Sequence, residues 1–125
     1  MQNTYIPGAC NIGPAEIKRR VVGGWIGLIL TIIIGGILLL THLSPLWRLV
    51  VFIPASVGAL GFLQAGFHFC VAYGTKGLFN VEHEAGKTES VSQQEFRKKD
   101  QQKAVSIIIY GVLIGIIIAG GFFFL

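Results

Sequence analysis

Three stretches of the sequence contain no lysine, arginine, aspartate or glutamate: residues 21–47, 49–75 and 104–125. The shortest, 104–125, spans 22 residues. Since a helix rises about 1.5 Å per residue, roughly 20 apolar residues cross the hydrocarbon of a bilayer. The composition agrees, because 53% of the residues are hydrophobic and 13% are charged, against about 25% charged in a soluble domain. The sequence therefore predicts an all-α membrane protein with three transmembrane helices.

Two other interpretations of these stretches fail on their pattern. Strands of a membrane barrel alternate apolar and polar residues, whereas 32–34 and 116–118 are continuous isoleucine runs. Helices instead satisfy every backbone polar group within one segment. The first stretch is also longer than the apolar region of a signal peptide and lacks a small-residue cleavage pattern. We therefore expect it to be retained as a helix.

The basic residues favour one side of a three-helix topology. Arg48 alone lies in the turn between the first and second stretches. The other nine lie before the first stretch or between the second and third: Lys18, Arg19, Arg20, Lys76, Lys87, Arg97, Lys98, Lys99 and Lys103. The positive-inside rule then predicts a multi-pass protein of the plasma (inner) membrane, with the N-terminus in the cytoplasm and the C-terminus outside. A basic rim beside a membrane matches anionic lipid headgroups, so we expect the lipid bilayer and no nucleic acid as partner.

The chain divides into four parts. We expect a cytoplasmic tail over 1–20, a transmembrane helical hairpin over 21–73, a cytoplasmic loop over 74–91, and a long helix over 92–125 that begins in the cytoplasm and forms the third span. Pro54 should kink the second helix. Ser92 and Glu95 have the spacing of a capping box and predict the start of the last helix.

Small residues recur at intervals of four, a spacing that lets helix backbones approach closely in lipid. The residues expected to pack in this way are Gly23, Gly27, Gly61, Ala65, Gly111, Gly115 and Ala119. The contacts are either within the chain, which we favour, or with other chains. Three helices leave much of their surface facing lipid, so the two interpretations are not exclusive, and we also expect a homo-oligomer or a subunit of a larger membrane complex.

Few polar residues occur at membrane depth: Thr31, Ser56, Gln64, His68, Cys70 and Ser106. Such residues are functional candidates by default. Gln64 and His68 are four apart and share a face of a continuous helix. Hydrogen bonds that fix helix packing are the favoured interpretation, and contact with a solute is the alternative.

The two cysteines, Cys10 and Cys70, are both expected near the cytoplasmic face, where a structural disulfide does not persist. Their separation lacks the short spacing of zinc sites. A reactive thiol pair, or a metal site with His68 or His83, stays an alternative to inert side chains. We expect no metal and no cofactor. The candidate functional cluster is Gln64, His68, Cys70, Tyr73 and Cys10.

Two short motifs resemble a known family. Cys70, Tyr73 and Gly77 have the spacing at the end of the second helix of the YgaP-type inner-membrane family, with Val71 where that family has proline. The entry to the first helix is similar as well, through Asn11, Gly13, Glu16, Arg19 or Arg20, and Gly23.

The resemblance covers about residues 11–80. The family is a two-helix module of largely unknown function that is sometimes fused to a rhodanese domain. The resemblance implies a helical hairpin and raises the expectation of sulfur chemistry at Cys70. The loop and the third helix are additions to the family's pattern.

Catalytic patterns such as a P-loop, a dinucleotide fingerprint or an H-E-x-x-H sequence do not occur, so we do not expect an enzyme. The first functional hypothesis is a structural or accessory membrane component that acts through helix packing. The alternative is an oligomeric channel or carrier for a small solute, for example a sulfur species, lined by Gln64, His68 and Cys70. A membrane redox enzyme using Cys10 and Cys70 ranks third.

Overall fold

The computed structural model describes residues 5–80 and 88–125. In chain order the elements are α1 (Pro14–Leu40), a 3₁₀ helix (Pro45–Val51), α2 (Phe52–Phe67), α3 (Val71–Lys76), β1 (Leu78–Phe79), β2 (Glu89–Ser90) and α4 (Gln94–Phe124). Within the described chain, α1, the 3₁₀ helix together with α2, and α4 are each long and apolar enough to cross a membrane. The prediction of three membrane-spanning helices is confirmed.

The first helix begins earlier than residue 21. Pro14 occupies its first turn, where the missing proline N–H would have had no partner in the helix. Glu16 lies in the same turn, where a carboxylate interacts favourably with the helix dipole. Part of the expected tail is therefore the start of α1.

The second span is not a single kinked helix. Its first seven residues, Pro45–Val51, form the 3₁₀ helix, and α2 begins at Phe52. Pro54 thus lies in the first turn of α2, where proline removes no hydrogen bond that the α-helix needs. The predicted kink is a helix start.

The same span ends at Phe67 rather than at residue 73. His68 is left-handed, with φ 54° and ψ 42°, and caps α2. The N–H groups of His68 and Phe69 donate to carbonyls of the last turn of α2, at 3.3 and 2.9 Å. The chain then restarts as α3. The sequence pattern alone predicts no break at this position.

The last helix begins close to the expected position, but without a capping box. Its N-cap is Gln93, and no side chain caps the helix. Arg97 instead donates from Nε to the carbonyl of Val91 at 2.6 Å. Two short antiparallel strands precede the helix, with Leu78 opposite Ser90.

The middle helix α2 packs against both α1 and α4. Its contact with α1 uses Gly24, Gly27, Gly58 and Gly61. A Cβ built on Gly27 would lie 2.5 Å from the Cα of Gly58, and one on Gly61 would lie 2.6 Å from the nitrogen of Gly24. Gly23 has no atom within 4 Å of such a Cβ. The contact therefore runs through Gly24 and Gly27, one residue from the expected start.

The predicted small residues of α4 face α2. A Cβ on Gly111 would lie 2.5 Å from Cδ2 of Leu60, and Gly115 contacts Ser56. Ala119 and, on α2, Ala65 are buried. All these contacts lie within one chain.

Each end of the bundle has its own closure. At the end with the hairpin turn, Arg48 donates from Nη1 to the carbonyls of Leu125 and Phe122, at 2.8 and 3.4 Å. The opposite end, formed by residues 5–20, 64–80 and 91–107, carries the described basic residues other than Arg48 and is called the basic end. Its core is Phe69, Ala104 and Ile107.

Candidate functional site

The N-terminal tail is built into the basic end. Asn11, Ile12 and Gly13 are buried, and Ile12 forms a parallel bridge with Asn80. The N–H of Asn80 donates to the carbonyl of Asn11, and the N–H of Gly13 donates to the carbonyl of Asn80, both at 2.8 Å. The tail therefore packs like a strand against the segment that follows α3.

This placement brings Asn11 to the break between α2 and α3. Its N–H donates to the carbonyl of His68 at 3.1 Å. Its side chain accepts from the N–H of Cys70 at 2.6 Å and donates to the carbonyl of Cys70 at 3.1 Å. An interrupted helix leaves backbone groups without helical partners, and Asn11 supplies partners for two of them, the carbonyl of His68 and the N–H of Cys70. The carbonyl of Cys70 also accepts from the N–H of Gly74 at 2.9 Å.

Gln64 also serves the break. Its Nε2 donates to the carbonyl of Leu60 at 3.1 Å, and its Oε1 accepts from the N–H of Val71 at 2.9 Å. The side chain of His68 is exposed, and its backbone lies outside the helix. The two residues therefore do not form the shared helix face that their spacing predicted.

Cys70 and Tyr73 meet two charged residues of α1. Arg20 donates from Nη2 to Sγ of Cys70 at 2.9 Å, and its guanidinium carbon lies 5.9 Å from the centre of the Tyr73 ring. The same Nη2 lies 3.5 Å from Oε2 of Glu16. Glu16, Arg20, Cys70 and Tyr73 are called the Arg20 cluster.

The carboxylate of Glu16 is fully buried, with 0% of the residue exposed. Arg19 donates to its Oε1 at 2.7 Å, and Arg20 faces its Oε2. A buried carboxylate is tolerated when it is paired in this way. The pKa of the nearby Tyr73 hydroxyl is raised, first by burial and then by the neighbouring carboxylate of Glu16. The cluster therefore holds Tyr73 in its neutral form.

The two cysteines have separate environments. Both are free and buried. The thiol of Cys10 donates to the carbonyl of Ile12 at 3.5 Å, and burial raises its pKa. The thiol of Cys70 contacts Arg20. Asn11, which follows Cys10 in the chain, bonds to the backbone of Cys70. Neither thiol is open to an outside reactant in this conformation.

A second buried acid ties the tail to α4. Asp100 is 0% exposed and accepts from the hydroxyl of Tyr5 at 2.6 Å and from the N–H of Gly8 at 2.7 Å. Burial and the hydrogen bond to Asp100 raise the pKa of Tyr5. The Tyr5 ring also stacks on Phe79, with 4.5 Å between ring centres. These contacts are called the tail latch.

Sequence reasoning missed the buried Asn11, Glu16 and Asp100, and the half-buried Arg20, as partners in these contacts. The sequence did indicate that Asp100 could be buried, because it is four residues before the apolar Ala104 and so shares a face with it on α4. Asn11, Glu16 and Arg20 were named in the family motif but not as parts of a site. The spacing of that motif was the indication in the sequence that these three residues belong to a site.

The site has no evident metal chemistry. The described residues contain no group of three or more His, Cys, Asp or Glu side chains placed to hold a metal ion. His83, one of the proposed ligands, lies outside the described residues.

A cavity of about 310 Å³ lies at membrane depth. Its lining is almost entirely apolar and includes Leu28, Gly58, Phe62, Ile114 and Ile118, together with the polar Thr31.

The residues that carry the two family-like motifs thus lie together, since Asn11, Glu16, Arg20, Cys70 and Tyr73 are joined by the contacts above. Comparison of the chain with protein-family models, curated proteins and solved structures finds no match.

Proposed function

We propose that this chain is a small structural or accessory component of a membrane, which assembles through the outer surfaces of its helices. The observation that carries the proposal is the contrast between the two parts of the molecule. The polar side chains around the helix break bond within the chain, whereas most of the apolar helix surface has no partner inside it. In the most apolar windows of the three spans, 22%, 28% and 22% of the residues are buried.

The polar side chains around the helix break are occupied by structural bonds. Asn11 and Gln64 bond to the backbone of the helix break. Arg20 bonds to Cys70, which is 2% exposed. Groups engaged in this way stabilise the fold and offer little to a substrate, which favours an architectural role over catalysis.

The outer surfaces contain small residues that the chain itself does not use. A Cβ built on Gly23 or Gly36 of α1, or on Gly120 or Gly121 of α4, would meet no atom within 4 Å. Small residues at a helix surface permit close approach by another helix in lipid. They supply places where a second copy or a subunit of a larger complex can pack.

The proposed location is the plasma (inner) membrane, with the basic end in the cytoplasm. The described lysines and arginines other than Arg48 belong to the basic end, as the positive-inside rule requires. Reporter fusions test the orientation. A fusion after Leu125 should report the outside, and a fusion near Lys87 should report the cytoplasm.

We also propose a relationship to the YgaP-type family, extended by the third span. It is supported by the contacts of Asn11, Glu16 and Arg20 with Cys70 and Tyr73, which give the motif spacing a physical reason. The residues of the motif form contacts that stabilise the chain at the helix break. This relationship does not require the sulfur chemistry found in fused rhodanese domains.

Purification in mild detergent tests the proposed assembly. We expect a native mass above that of one chain, or co-purifying subunits, and we expect Gly36→Leu to reduce that association. Gly66→Leu is a matched control at another open glycine, near the end of α2. A monomer that carries no partner would contradict the proposal.

The channel hypothesis receives less support from the geometry. Of its three lining residues, Gln64 and Cys70 make bonds within the chain, and the cavity at membrane depth is apolar. Solute flux in liposomes separates the two hypotheses. A flux that His68→Ala and Cys70→Ser abolish would favour the channel.

A further inference from the structure

A polar groove lies at the basic end between the tail and α4. Its volume is about 380 Å³, and it is lined by Pro7, Gly8, Lys99, Gln102, Lys103 and Ser106. On α4, Gln102 and Lys103 lie three and four residues after Lys99, and Ser106 lies four and three residues after them, so the four residues form one stripe along the helix. The stripe contains two cations, an amide and a hydroxyl, and it contains no acid.

The wall opposite the stripe is built by the tail latch. Gly8 has a φ of +70°, and a Cβ built on it would lie 3.3 Å from Cβ of Lys99. Glycine permits both this backbone conformation and this close approach. The N–H of Gly8 donates to Asp100 at 2.7 Å, which fixes the tail beside the lysines. The groove is therefore a constructed feature of the fold.

The latch also controls the charge of the groove. Asp100 is the acid nearest to Lys99 in the sequence, but it is fully buried and both of its oxygens accept hydrogen bonds, from Tyr5 and Gly8. Among the described residues, neither Lys99 nor Lys103 forms an ion pair. The positive charge of the groove thus remains available to an anion.

The position of the groove relates it to a membrane. Lys103 is the last charged residue before the apolar part of α4, and its Nζ lies 4.1 Å from the centre of the Phe67 ring, at the end of α2. The stripe continues toward the other end through Tyr110, Leu113 and Ile117, at the same spacing. These three apolar side chains are 52%, 50% and 72% exposed.

From this arrangement we propose that the groove binds an anionic phospholipid. The phosphate lies between Lys99 and Lys103, the polar linkage lies against Gln102 and Ser106, and an acyl chain follows Tyr110, Leu113 and Ile117. Opposite charge at one end and exposed apolar surface at the other match the two ends of one lipid molecule. A free phosphate ion would use only the first half of this surface.

The test titrates the full chain in detergent with phosphatidylglycerol or phosphatidylcholine and follows bound lipid by native mass spectrometry. We expect preferential binding of phosphatidylglycerol. The double variant Lys99→Gln, Lys103→Gln should bind it about 30-fold more weakly, because each lysine at an anionic membrane surface contributes about 1 kcal/mol.

The matched control is the double variant Lys18→Gln, Lys76→Gln, which removes the same charge from exposed positions outside the groove. Its affinity for phosphatidylglycerol should stay at the wild-type value. Equal weakening by both double variants would overturn the proposal in favour of diffuse surface attraction. Displacement of the lipid by soluble glycerol phosphate would overturn it as well, because the acyl chain would then contribute nothing.

Discussion

The side-chain amide of Asn11 forms a hydrogen bond in each direction with the backbone of Cys70. The two residues are 59 positions apart, and both are buried. Through this pair, a segment before the first helix satisfies the backbone exposed by the break in the second span. The tail is therefore part of the core of the basic end.

We expect Asn11→Ala to lower the free energy of unfolding by about 1–3 kcal/mol. The substitution leaves the buried N–H of Cys70 without its partner, and such a group costs about 1–3 kcal/mol, whereas the carbonyl of Cys70 still accepts from the N–H of Gly74. Thermal unfolding in detergent measures the loss. Gln101→Ala, an exposed substitution on α4, should leave stability nearly unchanged. Equal midpoints for the two variants would contradict the structural role of Asn11.

The three spans could be predicted because charged residues are costly in lipid, so that a membrane-spanning stretch is visible in the sequence as a long run without them. Residues 21–47, 49–75 and 104–125 need no tertiary information to be recognised. The face of a glycine does need it: Gly23 and Gly24 are adjacent and identical, and the partner helix selects Gly24.

The helix break could not be predicted from local pattern. The sequence around His68 contains neither proline nor the usual capping glycine at that position, and the segment is apolar enough to continue as a helix. The interruption is stabilised by Asn11 and Gln64, one of which lies far away in the chain. The candidate site was predicted only in part for the same reason. Cys70 and Tyr73 were identified from the sequence, but their partners on α1, which lie far away in the chain, were not.

Gly27 should not tolerate a larger residue. In Gly27→Ala the new Cβ would meet the backbone of Gly58 at about 2.5 Å, which forces α1 and α2 apart. Overpacking of this kind costs about 1–3 kcal/mol. Gly66→Ala is the control, because a Cβ on Gly66 would meet no atom within 4 Å and the residue lies outside the surfaces proposed for assembly, and the greater helix propensity of alanine should be neutral or stabilising by up to about 1 kcal/mol. In the same detergent, the midpoint of thermal unfolding should therefore be lower for Gly27→Ala than for the wild type. The midpoint of the control variant should be unchanged or higher.

His68 should be improved by glycine. Its φ of 54° is a conformation that costs a residue with a Cβ roughly 1–2 kcal/mol. His68→Gly removes this cost, although glycine loses more entropy on folding, so we expect a net stabilisation of about 0.5–1 kcal/mol. His68→Val should destabilise, since β-branched residues are strongly disfavoured there. Urea unfolding with circular dichroism detection checks the order, and a valine variant as stable as the glycine variant would argue against a left-handed residue at this position.

The alkaline stability of the protein should depend on Tyr73. Burial and the neighbouring carboxylate of Glu16 raise its pKa above the ordinary value of 10.0. The folded state therefore keeps a proton that the unfolded state has already released. The resulting stabilisation is fully present below pH 10.0 and is lost as the pH rises through the folded pKa.

We expect Glu16→Gln to lower the pKa of Tyr73, because it removes a carboxylate that disfavours the phenolate. Burial, the larger cause of the raised pKa, remains, so the pKa should stay above 10.0. The titration is followed by ultraviolet absorbance of the phenolate in a Tyr5→Phe background, because Tyr5 also has a raised pKa. Subtracting the absorbance of a Tyr73→Phe variant isolates the Tyr73 signal. An identical Tyr73 titration with and without the Glu16 carboxylate would show that burial alone sets the pKa, and that the contact between the two side chains carries no charge coupling.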